Sequence, residues 1–345
     1  MKPPFPWFGG KSRVWHLVWQ RFGDVDNYVE PFAGSLAVLL NRPSPPRTET
    51  ANDEDSYLAN FWRALQQAPD EVAHYADWPV NEADLHARHR WLLDRADFRQ
   101  RMHTDPDYYD AKIAGWWVWG LCSWIGSGWC AEDFYAGNES QQLPHLGHPG
   151  TGVHRPSQKL PHLGGPGQGV HRPSQQLPHL GGGYSHLQGI QRETNLYAYM
   201  RALAARLRGV RVCCGDWQRV LGPSVTFKHG LTGVFLDPPY SAEADRYETL
   251  YSVDDLSIAH DVRAWAVANG DNPLLRIALC GYTGEHDDDM TYAGWTHVHW
   301  KAAGGYGSQA KGNSRGKANS HREVIWFSPH CLKTTLFELE HHEAD

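Results

Sequence analysis

Short apolar runs bounded by turn residues occur at both ends of the chain. Five of them predict strands in the C-terminal part: "VRVCC", "TGVFL", "RIALCGY", "WTHVHW" and "EVIWF". Between the second and third, "LSIAHDVRAWAVAN" has its apolar residues at helical spacing. Near the N-terminus, the pattern predicts a strand ending at Tyr28-Val29, a helix starting in "SLAVLLN" and a helix over 57–65. Residues 1–75 and 205–345 are therefore predicted to be α/β.

The middle of the chain, residues 76–204, has a different pattern. Residues 81–102 predict one amphipathic helix with a capping pair, because Asn81 is followed three residues later by Asp84. A Trp-rich segment follows, "AGWWVWGLCSWIGSGW", and we expect most of its rings in a core. The pattern predicts a separate inserted region between the two α/β parts.

A repeat with a period of 17 residues occupies residues 143–183. "LPHLGHPGTGVHRPSQK" is followed by "LPHLGGPGQGVHRPSQQ" and by a third copy that stops after "LPHLGGG". Residues 140–192 contain no Asp or Glu but carry Arg155, Lys159 and Arg172. One interpretation is a low-complexity insertion, and the other is a basic arm along nucleic acid. A metal array is less favoured, because no Cys or carboxylate accompanies the His residues.

Composition narrows the class of protein. The chain has 345 residues and a net charge of -7, which argues against a surface that is basic throughout. It shows no signal peptide and no run of 18 apolar residues, so we expect no membrane association. The six Cys lack metal-binding spacing and fit reduced thiols. We therefore expect no metal and a cytoplasmic location, in a prokaryote or a phage-infected host.

The tetrapeptide "DPPY" follows the apolar run "VFL". Such a strand would place Asp237 at the carboxyl edge of a sheet, where open α/β sheets bind ligands. Pro238 and Pro239 stiffen the turn and leave carbonyl oxygens free to accept, and Tyr240 offers a face for stacking. Two acceptors match the two donors of an amine on an aromatic ring, whose delocalised lone pair makes it a poor nucleophile. The pattern favours an active site, although a turn capped by Asp is the simpler alternative.

A second turn indicates what the amine attacks. "YVEPFAGSLAVLLN" predicts strand, turn and helix, and Gly34 lets the backbone approach a ligand closely. Asp53 follows 19 residues later, where a carboxylate would bind ribose hydroxyls. The phosphate-binding pattern G-x-G-x-x-G is absent, as expected for a nucleoside without phosphates. S-adenosylmethionine is such a ligand, and its methyl sulfonium suits a poor nucleophile.

The motifs "PWFGGKS", "VEPFAGS", "ANDED", "GDW" and "DPPY" resemble, in this order, those of Dam-type, D12 class DNA adenine-N6 methyltransferases. The resemblance implies a Rossmann-like class I fold with a mixed sheet, S-adenosylmethionine as cofactor and double-stranded DNA as substrate. It implies that Lys11 neutralises the cofactor carboxylate and that Glu30 meets its ammonium group. It also implies that Asp53 holds the ribose. The cofactor-binding residues implied are Trp7, Gly9, Gly10, Lys11, Glu30, Pro31, Phe32, Gly34, Asp53, Asp216 and Trp217.

Two features fall outside the motifs that carry the resemblance. Leu36 stands where the family often has a second Gly, and its larger side chain would narrow the cofactor pocket. The Gly-rich residues 302–321 carry Lys311, Arg315 and Lys317 and no acid, so we consider a phosphate-contacting loop or a plain hairpin tip. By the resemblance, the target-recognition region lies within 76–204.

Other functions stay open at this point. Methylation of cytosine N4 or of RNA would need the same fold, and a DNA-binding relative without activity would keep it. Cytosine enzymes more usually have Ser in the first position of the tetrapeptide, and enzymes that methylate glutamine side chains have Asn there. The sequence determines neither the recognition site nor the oligomeric state.

Overall fold

The computed structural model describes residues 1–5, 7, 11–105, 107–124, 129–130, 186–239, 258–300 and 323–333; for residues 96 and 186–195 it describes only the backbone. Nine helices lie within these ranges: α1 Trp15–Phe22, α2 Ser56–Gln67, α3 Pro69–Ala76, α4 Glu82–Leu93, α5 Ala96–Thr104, α6 Ala111–Ser123, α7 His186–Leu207, α8 Ile258–Asn269 and α9 Asp287–Tyr292. Within the same ranges, no helix has the length and apolar character needed to cross a membrane.

Seven strands form one mixed sheet in the described part of the chain: β1 Asn27–Glu30, β2 Thr48–Asp53, β3 Val210–Cys214, β4 Thr232–Leu236, β5 Leu275–Tyr282, β6 Thr296–His299 and β7 Glu323–Phe327. Their order is β3-β2-β1-β4-β5-β7-β6. The strands from β3 to β5 are parallel, whereas β7 runs antiparallel to both β5 and β6. This sheet confirms the predicted α/β, Rossmann-like fold, and each of the five predicted C-terminal strands is present.

Both faces of the central strands are covered. Every residue of β1 and β4 is buried, which explains why the run Val234–Leu236 of β4 is apolar without alternation. In β4, Phe235 packs into the core on one face, while Val234 and Leu236 pack into the core on the other. The sheet is therefore a rigid platform whose polar side chains emerge at the strand ends.

Two predicted helices differ from the structure. The segment "SLAVLLN" forms only a short 3-10 turn, Leu39–Asn41, because Gly34 and Leu36 adopt left-handed φ angles of 44° and 55° that no helix accommodates. The single helix predicted over 81–102 is two helices, α4 and α5. Arg95 leaves the helical region at the break, and Phe98 then packs against Tyr57 with ring centroids 5.2 Å apart.

The cap of α4 is confirmed: the Asn81 side chain accepts a hydrogen bond from the Asp84 N–H at 2.8 Å. Helix α6, from the predicted insert, packs Trp117 against Phe5 and Phe61 of the N-terminal part. The described helices of the insert thus share the core of the α/β part, and the domain boundaries stay a prediction. The 17-residue repeats lie outside the described residues.

Candidate active site

A cleft opens at the carboxyl ends of β1, β2 and β4. The connections leave β1 and β4 toward opposite sides of the sheet, so this is the point where an open α/β sheet forms a ligand crevice. The cleft has about 900 Å³ of empty space, which includes its open mouth. Its lining residues are Trp7, Lys11, Glu30, Pro31, Phe32, Ala33, Gly34, Ser35, Ala37, Asn52, Asp53, Glu54, Asp55, Gly215, Trp217, Phe235, Asp237, Pro239 and Ile258.

The loop after β1 is held close to the cleft by glycine. Gly34 has a φ of 44°, and a Cβ atom on it would lie 2.7 Å from the Trp7 ring. Its N–H donates to Asp53 Oδ2 at 3.1 Å, and its carbonyl accepts from the Trp62 indole N–H at 3.2 Å. Both the backbone angle and the contact with Trp7 therefore require Gly at this position.

Asn52 joins the loops on either side of the cleft. Its amide Nδ2 is buried and donates to the carbonyls of Pro31 at 3.0 Å and of Gly215 at 2.8 Å. One side chain at the end of β2 thus fixes the loop after β1 and the loop after β3. The sequence analysis missed this role, although Asn52 directly precedes Asp53 in the motif "ANDED".

Two acidic side chains of the cleft have raised pKa values. Burial, followed by the nearby Asp55 carboxylate, raises the pKa of Asp53 to about 7, although N–H groups of Asp55 and Gly34 partly offset this. Burial also raises the pKa of Glu30 well above its usual range, while a hydrogen bond from the Tyr28 hydroxyl at 3.0 Å acts in the opposite direction. A ligand carrying positive charge or hydroxyl donors would favour the ionised forms of both groups.

An aromatic pair lines another part of the cleft. The rings of Phe32 and Trp217 lie 6.1 Å apart at 30° to one another. Their flat faces suit a purine. Asp216, which the resemblance places near the cofactor adenine, is exposed and absent from the cleft lining; its carboxylate caps a short turn by accepting from the Gln218 N–H at 2.9 Å.

The structure brings Lys11 and Asp237 together from opposite ends of the chain. Lys11 Nζ lies 2.8 Å from Asp237 Oδ1, and their side chains are 3% and 19% exposed. Burial lowers the pKa of Lys11. The negative charges of Asp237, which acts most strongly, and of Glu323 outweigh burial and raise this pKa above its ordinary value. The ammonium also lies 5.5 Å from the centroid of the Trp300 ring. The resemblance assigned Lys11 to the cofactor carboxylate, whereas its ion-pair partner in the structure is Asp237.

The side chain of Leu36 is fully buried in the core and does not line the cleft. The sequence analysis expected this residue to narrow the pocket. Leu36 instead destabilises the backbone of the loop, because a left-handed conformation is unfavourable by about 1–2 kcal/mol for a residue with a Cβ atom. The methyl groups that Gly would lack fill the space beneath the loop.

Several predicted site residues lie outside the described part of the chain. They are Gly9 and Gly10 of the cofactor set, Tyr240 of the catalytic set, and the DNA-binding candidates Arg155, Lys159, Arg172, Lys311, Arg315 and Lys317. Pro238 and Pro239 follow β4 directly, and Pro239 lines the cleft. Within the described ranges, no cluster of three metal-ligating side chains occurs.

Residues 7–108 match the family model of the D12 class N6 adenine-specific DNA methyltransferases. The match includes Trp7, Lys11, Glu30, Gly34 and Asp53, and it ends before "DPPY". The matched family is the one that the motifs predicted, and its description names N6 of adenine in DNA as the atom that is methylated. The family implies the use of S-adenosylmethionine and a DNA substrate. No curated protein matches the chain.

Proposed function

We propose that this chain, a D12 class N6 adenine-specific DNA methyltransferase by its family match, binds S-adenosylmethionine in the cleft and presents a flipped-out adenine to Asp237. The observation that carries the proposal is the position of Asp237. Its carboxylate lines the same cleft as the acidic and aromatic residues that suit the cofactor, at the carboxyl end of β4.

The residues of the cleft fit S-adenosylmethionine. Asp53 accepts from the ribose hydroxyls, Glu30 meets the ammonium group, and the rings of Phe32 and Trp217 contact the adenine. Gly34 keeps the loop after β1 close to the cleft, because a Cβ atom on it would clash with the Trp7 ring. When bound, the cofactor supplies an electrophilic methyl group on a positively charged sulfur. The acidic side chains around the cleft favour that charge.

Asp237 orients the amine of the target. The enzyme must extrude the adenine from the duplex, because the amine is inaccessible inside the stack. Asp237 and a carbonyl of the Pro238-Pro239 turn then accept the two N–H groups, which draws the nitrogen toward tetrahedral geometry. Tyr240 follows directly in sequence, and stacking of its ring on the base is part of the proposal.

Lys11 holds the carboxylate of Asp237 in place. Its ammonium lies 2.8 Å from Oδ1 of that carboxylate. The ion pair also keeps the carboxylate ionised, as an acceptor must be. The nitrogen becomes cationic on methylation, and the same carboxylate stabilises that charge until a proton leaves. We propose this role for Lys11 in place of contact with the cofactor carboxylate.

The test is transfer of labelled methyl groups from S-adenosylmethionine to duplex DNA, followed by nucleoside analysis. Replacing Asp237 by Ala alone removes the carboxylate that lies 2.8 Å from a buried ammonium, which is itself destabilising. We therefore compare Asp237→Asn, which keeps an oxygen beside Lys11, with the double variant Lys11→Met, Asp237→Ala, which removes both charges of the pair. Both variants should fold, and the rate of methyl transfer should fall in both by a factor of at least about 10²–10³.

The matched control is Asp271→Asn, which changes a fully exposed carboxylate outside the cleft lining. It should retain most of the activity. Near-normal turnover of Asp237→Asn would refute the assignment of the active site. Labelled N4-methylcytosine in place of N6-methyladenine would refute the assignment of the substrate base.

A further inference from the structure

Indole rings and cations alternate across helix α4, the junction between α4 and α5, and helix α6. The Arg95 guanidinium lies 3.9 Å from the centroid of Trp91, and Lys112 Nζ lies 4.9 Å from Trp91 and 4.4 Å from Trp116. At the other end, the Arg88 guanidinium lies 5.0 Å from the centroid of the Trp116 ring. All are within the distance at which a ring face attracts a cation. We call these five residues the indole–cation row.

The Arg88 end of the row contains two buried hydrogen-bond donors that have no acceptor among the described residues. Arg88 is 8% exposed, with Trp119 at 4.3 Å and Trp78 at 4.8 Å. Its Nη1 and the indole Nε1 of Trp116 are both buried, and neither has a hydrogen-bond partner in the described part of the chain. Because both atoms are buried, they are not the groups that meet a partner; the partly exposed cations of the row are Arg95 and Lys112.

The row also lacks counter-charges. None of Arg88, Arg95 and Lys112 has a carboxylate oxygen within 4.0 Å among the described residues. By contrast, Arg47 pairs with two aspartates and Arg201 with one. Arg95 and Lys112 are thus partly exposed cations without an ion-pair partner in the described part of a chain whose net charge is -7. They are complementary to a polyanion.

Helix α2 fixes the row on the side of the sheet where the cleft opens. This helix begins just after the carboxyl end of β2. Near its start, Tyr57 donates to the carbonyl of Leu92, the neighbour of Trp91, at 2.7 Å. Asn60 accepts from the N–H of Asp110, which caps the helix carrying Lys112, at 2.8 Å. The central part of the row is therefore anchored at the carboxyl edge, where the target base must arrive.

We propose that the indole–cation row is a docking surface for the sugar–phosphate backbone of duplex DNA. The cations contact phosphates, and the indoles hold the cations in line while leaving their outer N–H groups available. Such contacts position the duplex and do not read its sequence. The inference rests on the proposed DNA substrate and adds a surface, separate from the cleft, that binds it.

The experiment measures the affinity of the full chain for duplex DNA as a function of salt. Each lost phosphate contact makes the slope of log affinity against log salt shallower by about 0.9. The double variant Arg95→Ala, Lys112→Ala should therefore lower the slope by nearly two units, equally on duplexes of unrelated sequence. Its affinity for S-adenosylhomocysteine should stay unchanged.

Two controls distinguish charge from packing. Arg47→Ala removes an exposed cation at the amino-terminal edge of the sheet and should leave the slope unchanged. The charge-conserving variant Arg95→Lys, Lys112→Arg should restore most of the slope. An unchanged slope in the folded Ala variant would overturn the proposal, as would equal losses in the two double variants. Loss of self-association without a change in slope would assign the row to a second copy of the chain.

These outcomes are separate from failure of the proposed function. If the chain methylates DNA but the slope does not respond to the row, only the docking surface is wrong. If no adenine in DNA is methylated, the function itself is wrong, whatever the slope shows.

Discussion

Ionisation of Asp53 should control how tightly the cleft binds a nucleoside. The pKa of this carboxyl is raised to about 7, mainly by burial, and ribose hydroxyls bind best to its ionised form. With that pKa, about one molecule in eleven is ionised at pH 6 and about ten in eleven at pH 8. Affinity should therefore rise about tenfold between these pH values and level off above pH 8.

The appropriate ligand is methylthioadenosine, which has the adenine and ribose but neither the ammonium nor the carboxylate of the full cofactor. Its binding is thus insensitive to Glu30, whose pKa is also raised, and to the α-amino group, which titrates near pH 8. No His lines the cleft among the described residues, so Asp53 is the group expected to respond near neutrality. Calorimetric titration at pH 6, 7 and 8 measures the effect.

Asp53→Asn supplies the control. The amide keeps one oxygen for the ribose but does not titrate, so its affinity should be lower and independent of pH. Stability of the free protein should move oppositely to binding. Because the folded pKa lies above the unfolded value, the folded state binds more protons between about pH 4 and 7, and the Asp53 contribution to stability is lost across that window. Flat wild-type binding, or the same pH dependence in Asp53→Asn, would refute the reasoning.

Further changes test the loop, the base and the repeats. Leu36→Gly relieves a left-handed φ but empties a fully buried site, so thermal unfolding should show a net loss of about 2–4 kcal/mol; a stabilised variant would contradict this balance. Gly34→Ala should weaken binding of S-adenosylhomocysteine strongly, because its Cβ would lie 2.7 Å from the Trp7 ring. Tyr240→Phe should be mild and Tyr240→Ala severe in methyl transfer, since stacking on a base contributes about 1–3 kcal/mol; equal losses would point to the hydroxyl. If the repeats hold phosphates, Arg155→Ala with Arg172→Ala should lower the salt slope by roughly two units, and an unchanged slope would leave them a tolerated insertion.

The local sequence was sufficient to predict the C-terminal strands and the acidic side chains at the ends of strands. The five C-terminal strands were predicted because each is a short apolar run between turn residues, and such runs specify strands without distant partners. Asp237 was predicted as a site residue because a carboxylate directly after a strand lies at the carboxyl edge of a parallel sheet, whatever the order of the strands. Asp53 was predicted from its spacing of 19 residues after Gly34, and it is the last residue of β2.

Where backbone angles and tertiary contacts compete with local preference, the sequence was insufficient. "SLAVLLN" has the composition of a helix, but the left-handed angles at Gly34 and Leu36 direct the chain into a loop over the cleft. The break between α4 and α5 is likewise invisible in the periodicity, because it serves the packing of Phe98 on Tyr57.

Only the tertiary structure decided which charges meet. Lys11 and Asp237 come from opposite ends of the chain, and their ion pair depends on the placement of β4 beside β1. The same holds for the indole–cation row, of which only Trp116 belongs to the Trp-rich segment that was predicted as core. Pairing of two groups from distant segments depends on three-dimensional proximity, which the strand order and helix packing set and which a local pattern does not encode.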